Sequence, residues 1–393
     1  MSVRWRRTSL IVLLLLLMTG CWDRRELNEQ ALIFAWGMDL NDDGSYQATA
    51  QFAIPHKMGS NSGGAGRAFF TISGNGGSIY EAAKDIQLKV SRAWFAGHRR
   101  AILIGERLAK SGLAPILDEY SRNPIVRLRT DILVVKGISV ADFLALSYPL
   151  EQLSASAFFR IHQASDLNPD LTMRDFLMAH ASEEDCPVLP VVTAQAKPLS
   201  DEDKQSGAGL RLWGTAIFDK DARLVGNLPQ KKAHTVYWIK GQLGSTIRPV
   251  KIPGEENEII TELNRLSAKI KTTVENGDIL IGIQLGGYGI LRENNTQLDL
   301  SRSQKIIMVQ NYLNEQTADE VKGVIQEIQA LGTDVLGFGL AVHRQHPQEW
   351  RTLKKDWPRH FRKARVEVEV KARLEETGMT GSSLVLKKNE LRP

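Results

Sequence analysis

Residues 31–54 read ALIFAWGMDLNDDGSYQATAQFAI, and the way this stretch doubles back decides the class of fold. Ala31 to Met38 is apolar on both faces, as a fully buried strand requires, whereas Tyr46, Ala48, Ala50, Phe52 and Ile54 alternate with polar neighbours. Between them Asn41-Asp42-Asp43-Gly44 supplies residues that tolerate a positive φ, so the two runs form a hairpin. Beyond it, Ile79, Ala82, Ala83, Ile86, Val90 and Trp94 recur at helical spacing from Ser78 onward. Ala101–Ile104 is a short buried strand. Arg107 to Ser121 is a helix in which Pro115 stands near the first turn or marks a break. Arg127 to Val135 is a strand, Ser139 caps a helix running to Leu146, and helices cover Glu151–His162 and Thr172–His180. Val188–Val192 is extended. Helices alternate with strands but a hairpin is present as well, so the sheet is mixed and not purely parallel.

The polar stretch from Pro198 to Gly209 has linker composition. After it, 210–218 and 224–226 read as strands around the turn Asp219-Lys220-Asp221, and Thr235–Ile239 as a third. Glu262–Lys271 and Ile279–Leu285 form a hairpin turning at Glu275-Asn276-Gly277-Asp278. Ser303 to Leu331 makes one or two helices, Glu349 to Phe361 a shorter aromatic one, and Val366 to Ala372 alternates strictly as a strand with one wet face. The expectation is an α+β (mixed α/β) chain of two to three domains, with mixed sheets packed by helices. Its parts are a leader at 1–20, an N-terminal α/β region at 21–197 with room for two subdomains, a linker at 198–209 and a C-terminal α+β domain at 210–393.

The leader is read from LLLLLMTGCWDRRE, residues 13–26. The uninterrupted apolar run, Leu10 to Met18, has nine residues, against about 20 for a membrane span, and Arg4, Arg6 and Arg7 precede it. That is a secretory signal. Leu17-Met18-Thr19-Gly20-Cys21 resembles a bacterial lipobox, with Met18 where Leu is commoner; the plainer alternative is a secreted protein with an incidental cysteine. The thiol of Cys21 is the nucleophile that takes a diacylglycerol as a thioether. Two acyl chains at about 0.8 kcal/mol per buried CH₂ anchor stably, whereas a single chain would be reversible. The expected mature chain starts at Cys21, held on a membrane surface.

Composition narrows the rest. Loss of the three leader arginines lowers the formal charge from +5 to +2, which is no nucleic-acid footprint. Gln230-Lys231-Lys232 and Lys387-Lys388 are short basic patches, read as solvated faces before anionic headgroups. With Cys21 lipidated, Cys186 has no partner, which excludes a disulfide framework and any CxxC site. HExxH, GxSxG and SxxK are missing from the sequence. His343 and His346 share a helical spacing, but Pro347 follows at once and no further ligand stands at metal spacing. Glu183-Glu184-Asp185 and Glu255-Glu256 read as solvated turns, and Trp213, Trp238, Trp350 and Trp357 as anchors of cores or interfaces. No catalytic residue, metal ligand or cofactor is assigned.

A resemblance carries the reading further. Gly20-Cys21-Trp22-Asp23-Arg24-Arg25-Glu26-Leu27-Asn28-Glu29 resembles the mature start of the Ger(x)C lipoproteins, the C subunits of spore nutrient germinant receptors. His98–Glu106, Arg129-Thr130-Asp131 and Pro187–Pro190 are similar to further landmarks of that family. So are Gly214–Phe218, Leu224–Gly226, Asp334–Gly339, and Trp350 followed by Lys354, Trp357 and Phe361. The resemblance implies a mixed α/β fold of several domains that is not a common superfold. It also implies a non-enzymatic receptor subunit on the outer face of the spore inner membrane, with two integral membrane partners, the A and B subunits. Cys21 would carry S-diacylglycerol and an N-acyl group, and Trp22 beside it is a candidate interface residue. The alternative is a lipid-anchored solute-binding protein that delivers ligand to a membrane permease; a cell-wall hydrolase lacks any motif in its favour.

Overall fold

The computed structural model describes residues 29–58, 67–123, 127–148, 150–165, 172–198 and 208–376. Cys21, Trp22, the leader, the stretch 199–207 and the basic pair at 387–388 lie outside the described residues. β1 (Gln30–Leu40) and β2 (Tyr46–Ala53) form the expected hairpin, closed by Asn41 N–H donating to Ser45 O at 2.8 Å. β3 (Phe69–Gly76), a strand with no expectation in the sequence, pairs antiparallel with β2. α1 (Ile79–Lys89) starts under the Ser78 cap and ends before Trp94, which lies on β4 (Ala93–Phe95) beside β1. β5 (Ala101–Gly105) follows. The helix expected over 107–121 is broken into α2 (Glu106–Ser111) and α3 (Ala114–Arg122), with Pro115 in the first turn of α3, where its missing N–H costs nothing.

β6 (Asp131–Val135), α4 (Val140–Ala145), α5 (Ser154–Ser165), α6 (Met173–Ala181) and β7 (Val188–Pro198) complete the run. Thr172 and Asp175 cap α6 reciprocally. The sheet order is β3-β2-β1-β5-β6-β7-β8-β9, parallel from β1 to β7 and antiparallel at both edges, so it is mixed as expected. Successive residues of the central strands face opposite cores. Ile102, Ile104, Ile132 and Val134 meet α1, α2, α3 and α6, while Leu103, Leu133 and Val135 meet α4 and α5. Each such side chain contributes about 1.5–3 kcal/mol on burial, which fixes the register of the strands.

This sheet does not divide where the polar stretch does. β8 (Ala208–Phe218) returns antiparallel to β7, and β9 (Leu224–Pro229) pairs with β8, so the first strands after the expected linker complete the first region's sheet. The strand expected at 235–239 is corrected. It is the end of α7 (Gln230–Ile239), in which every residue from Ala233 to Ile239 is buried between the two sheets. A helix buried all round shows no apolar stripe, and Thr-Val-Tyr-Trp-Ile then reads as strand by propensity alone.

The second sheet runs β10 (Ser245–Lys251), β11 (Glu258–Glu275), β12 (Asp278–Asn294) and β13 (Arg365–Glu376). The β11–β12 hairpin turns on Asn276 and Gly277, with φ of 51° and 88°, a two-residue turn whose twist suits the strands. β13 lies parallel to β12, and the crossover this demands is helical. It consists of α8 (Ser303–Leu331), a single helix of 29 residues, then α9 (Phe338–Gln345), α10 (Pro347–Leu353) and α11 (Trp357–Lys363). The aromatic helix expected over 349–361 is thus two, divided before Pro358. Val309, Leu313, Val321, Ile325 and Ile328 of α8 pack on one face of the sheet.

Candidate functional site

The short segment between α6 and β7, residues 182–187, packs against the second region, and this is where charged side chains concentrate. Ser182 Oγ accepts from the backbone N–H groups of Glu184 and Asp185 at 3.0 and 3.1 Å and donates to Glu184 Oε2 at 2.7 Å. That turn sets the acidic side chains against the second region. Glu183 pairs with Lys354 at 2.8 Å, Glu184 with His343 Nδ1 at 2.7 Å, and Asp185 with the half-buried Lys240 at 2.7 Å. Lys220 Nζ donates to the carbonyls of Ser182 and Asp185, both at 2.6 Å. The expectation of a solvated turn for Glu183-Glu184-Asp185 is therefore corrected: all three acids bind across the junction. Burial works to raise the Glu184 carboxyl, but hydrogen bonds from Ser182 and His343 prevail and hold it below its ordinary range.

Facing this turn, Asp334 closes the start of α9. Its Oδ1 accepts from the backbone N–H groups of Leu336, Gly337 and Phe338, and its Oδ2 from Gly339 N–H at 2.6 Å and Trp357 Nε1 at 3.0 Å. Burial and the nearby Asp185 push this carboxyl up to about 6, against those donors. The Asp334 carbonyl accepts from Cys186 N–H at 2.8 Å, tying the loops together. A side chain at Gly339 would force the docked turn to shift, since a Cβ would stand 2.6 Å from the Glu184 carbonyl oxygen. His343 stacks on Trp350 at 5.6 Å, and Trp350 meets Trp357 edge-on at 5.0 Å. Trp238, Trp350 and Trp357 are buried core anchors as expected, while Trp213 is half-buried under Lys136.

The two histidines serve different partners. His346 Nε2 donates to the Thr272 carbonyl at 2.8 Å, away from Glu184. Among the described residues no group of three or more His, Cys, Asp or Glu side chains is placed to hold a metal. Cys186 is free and buried, and burial pushes its thiol up to about 12, so it is a poor nucleophile. Lys231 and Lys232, the basic patch, open α7 and pair with Glu320 and Glu327 of α8. A separate hollow of about 600 Å³ lies between α1, α3 and β4, walled by Trp36, Trp94, Tyr80 and Tyr120. The Tyr120 hydroxyl and Arg99 Nε have no hydrogen-bond partner there among the described residues. The junction has a sequence signal in hindsight: Pro187–Pro190 and Asp334–Gly339, two of the family-like landmarks, flank it from either region.

Two family models match the chain. Residues 23–194 match the family described as Spore germination protein N-terminal domain, and residues 213–378 that described as Spore germination B3/GerAC like, C-terminal. The chain is 27% identical over 373 residues to a putative spore germination protein, YfkR, of Bacillus subtilis (strain 168), covering 94% of this chain and 95% of that one. It is 25% identical to spore germination protein KC of the same organism, covering 91% and 92%. Spore germination protein B3, also from there, is 23% identical over 95% of this chain and 98% of its own. The crystal structure of the GerBC protein superposes with a TM-score of 0.58 at 20% identity, over 90% of this chain and 99% of that one. The α+β, multi-domain architecture is shared with it.

Proposed function

Because this chain belongs to the Ger(x)C family of spore germination proteins, we propose that it is a lipid-anchored, non-enzymatic subunit of a spore nutrient germinant receptor. Cys21 carries the lipid, the body stands on the outer face of the membrane, and its surfaces dock two integral membrane subunits, the A and B components. The observation that carries the reading is the junction. Side chains of both matched family regions, Glu183, Glu184 and Asp185 on one side and Lys240, His343 and Lys354 on the other, bind them across it. A fixed pair of regions suits a part whose task is to hold others in place.

The alternative, a solute-binding protein, calls for two similar lobes around a cleft. Here one sheet is long, mixed and covered by helices on both faces, while the other has four strands and a helical crossover. The test is to isolate the native lipoprotein from spore membranes in mild detergent and identify what accompanies it. Two polytopic membrane proteins in fixed ratio support the receptor reading. A permease with a nucleotide-hydrolysing subunit would support the alternative.

A further inference from the structure

The parallel strands β1, β4, β5 and β6 all begin at one edge of the large sheet, and that edge is strongly basic. A cleft of about 720 Å³ is lined there by Arg99, Arg100, Arg127, Arg129 and Arg174, with Asp131 among them. Arg174 is paired with Asp175 at 3.1 Å. Among the described residues Arg99, Arg100, Arg127 and Arg129 have no carboxylate within ion-pair distance, although Arg99 lies over the Tyr120 ring and Arg100 over that of Phe159. Gathering unpaired guanidinium groups on one cleft is unfavourable alone and favourable beside anions. The turn Arg127-Leu128-Arg129 projects from this edge, with all three residues exposed and Leu128 41% accessible; Phe95 nearby is 37% accessible. An apolar side chain flanked by arginines suits the boundary between headgroups and acyl chains.

We infer that this arginine-lined edge is a docking surface for the anionic headgroups of the membrane that holds the chain. The inference rests, for its orientation, on the reading of Cys21 as the anchor. β1 carries the chain out at the same edge: Arg100 N–H donates to Phe34 O at 2.9 Å, and Gln30 pairs with Ala93 of β4. From Gln30 back to Cys21 is nine residues, a reach of at most about 30 Å. The tether therefore keeps the basic edge close to the headgroup layer, where each arginine adds roughly a fivefold gain in partition to an anionic surface. The mature charge of only +2 makes this a property of one face, not of the whole body.

The test is co-sedimentation of the lipidated chain with phosphatidylcholine vesicles, alone and with about a third phosphatidylglycerol, at low and high salt. Binding to the neutral vesicles reports the anchor; the increment from phosphatidylglycerol reports the arginines. Arg127→Gln with Arg129→Gln, both exposed, is expected to keep the first and lose about 30-fold of the increment at low salt. Arg127→Lys with Arg129→Lys is expected to retain it. An increment unchanged by the glutamine variant would overturn the proposal. So would loss of the increment to inorganic phosphate at matched ionic strength, which would make the cleft a site for a free anion. If the anchor reading alone is wrong, neutral-vesicle binding is missing while the salt-sensitive increment persists.

Discussion

His343 Nδ1 stands 2.7 Å from Glu184 Oε1, across 159 positions of sequence, and the imidazole lies flat on Trp350. The pair couples the two matched regions. Its histidine is 45% exposed and its glutamate 18%, so it is worth the modest energy of a half-wet contact. A double-mutant cycle with Glu184→Gln and His343→Ala should give a coupling of about 0.5–1 kcal/mol by chemical denaturation near pH 6. Glu184 is held below its ordinary range, so its contribution is present above the unfolded carboxylate pKa and fades as pH falls through the folded one. A cycle showing no coupling would contradict this account.

Gly339→Ala should be costly although it adds one methyl group. The new Cβ would meet the Glu184 carbonyl oxygen at 2.6 Å, Trp357 Nε1 at 3.0 Å and Trp350 at 3.1 Å. Since the nearest atom is backbone, the docked turn must retreat, at about 1–3 kcal/mol. Thermal unfolding should move down, and amide exchange should quicken in 182–187 as well as in α9. A variant as stable as wild type would mean that the junction is looser than its distances state.

Arg248 and Glu320 should respond asymmetrically. Arg248 is 3% exposed in its side chain, pairs with Glu320 at 3.0 Å and leaves Nε and Nη2 without partners among the described residues; Glu320, at 42%, also holds Lys231. Glu320→Ala leaves a buried guanidinium uncompensated and should cost about 2–3 kcal/mol, below the fully buried case because water reaches the site. Arg248→Met removes the charge that needed compensation and should change stability by less than about 1 kcal/mol. Equal losses in the two variants would show that the arginine's packing over Trp238, and not its charge, is what matters.

The hairpins were legible because turns carry their own chemistry: Asn41 to Gly44 and Asn276-Gly277 admit few other conformations. Most strands of the first sheet were legible from apolar runs or alternation, and Ser139 marked a helix start through its side-chain oxygen. α7 was not, because complete burial erases the stripe that identifies a helix. β3 was missed because Phe69 to Gly76 carries two glycines and little apolar alternation; it is held as an edge strand by β2 and α1. The junction escaped for another reason. Glu183-Glu184-Asp185 has the composition of a solvated turn, and only the partners arriving from 240, 343 and 354 show otherwise.

Two buried groups should give opposite slopes of stability with pH. Burial, followed by the Arg248 charge, lowers His234 to about 4. The unfolded chain therefore takes up a proton first, and this group's contribution is full above pH 6.5 and lost as pH falls toward 4, by up to about 3 kcal/mol. Asp334, raised to about 6, runs the other way: its folded form binds the proton first, so its penalty is present above pH 6 and relieved toward pH 4. Urea titrations at pH 7, 5.5 and 4.5 should show His234→Asn losing less than wild type on acidification and Asp334→Asn losing more. Parallel profiles for wild type and both variants would sink the assignment.

The last prediction concerns Cys21, the expected lipid-bearing residue. Nine apolar residues end three positions before it, too few to remain as a span, so retention on the membrane should depend on acyl chains attached to its thiol. Cys21→Ala should yield a folded protein, because the described cores begin only at Ala31. Metabolic labelling with a radioactive fatty acid should mark the wild type and not the variant. The variant should also leave the membrane fraction at high salt, where the arginine edge is screened and the anchor alone would hold. Trp22→Ala should keep the label; if Trp22 contacts a membrane subunit, co-purification of that subunit falls while lipidation is unchanged. Undiminished labelling of Cys21→Ala would place the lipid elsewhere and end the lipobox reading.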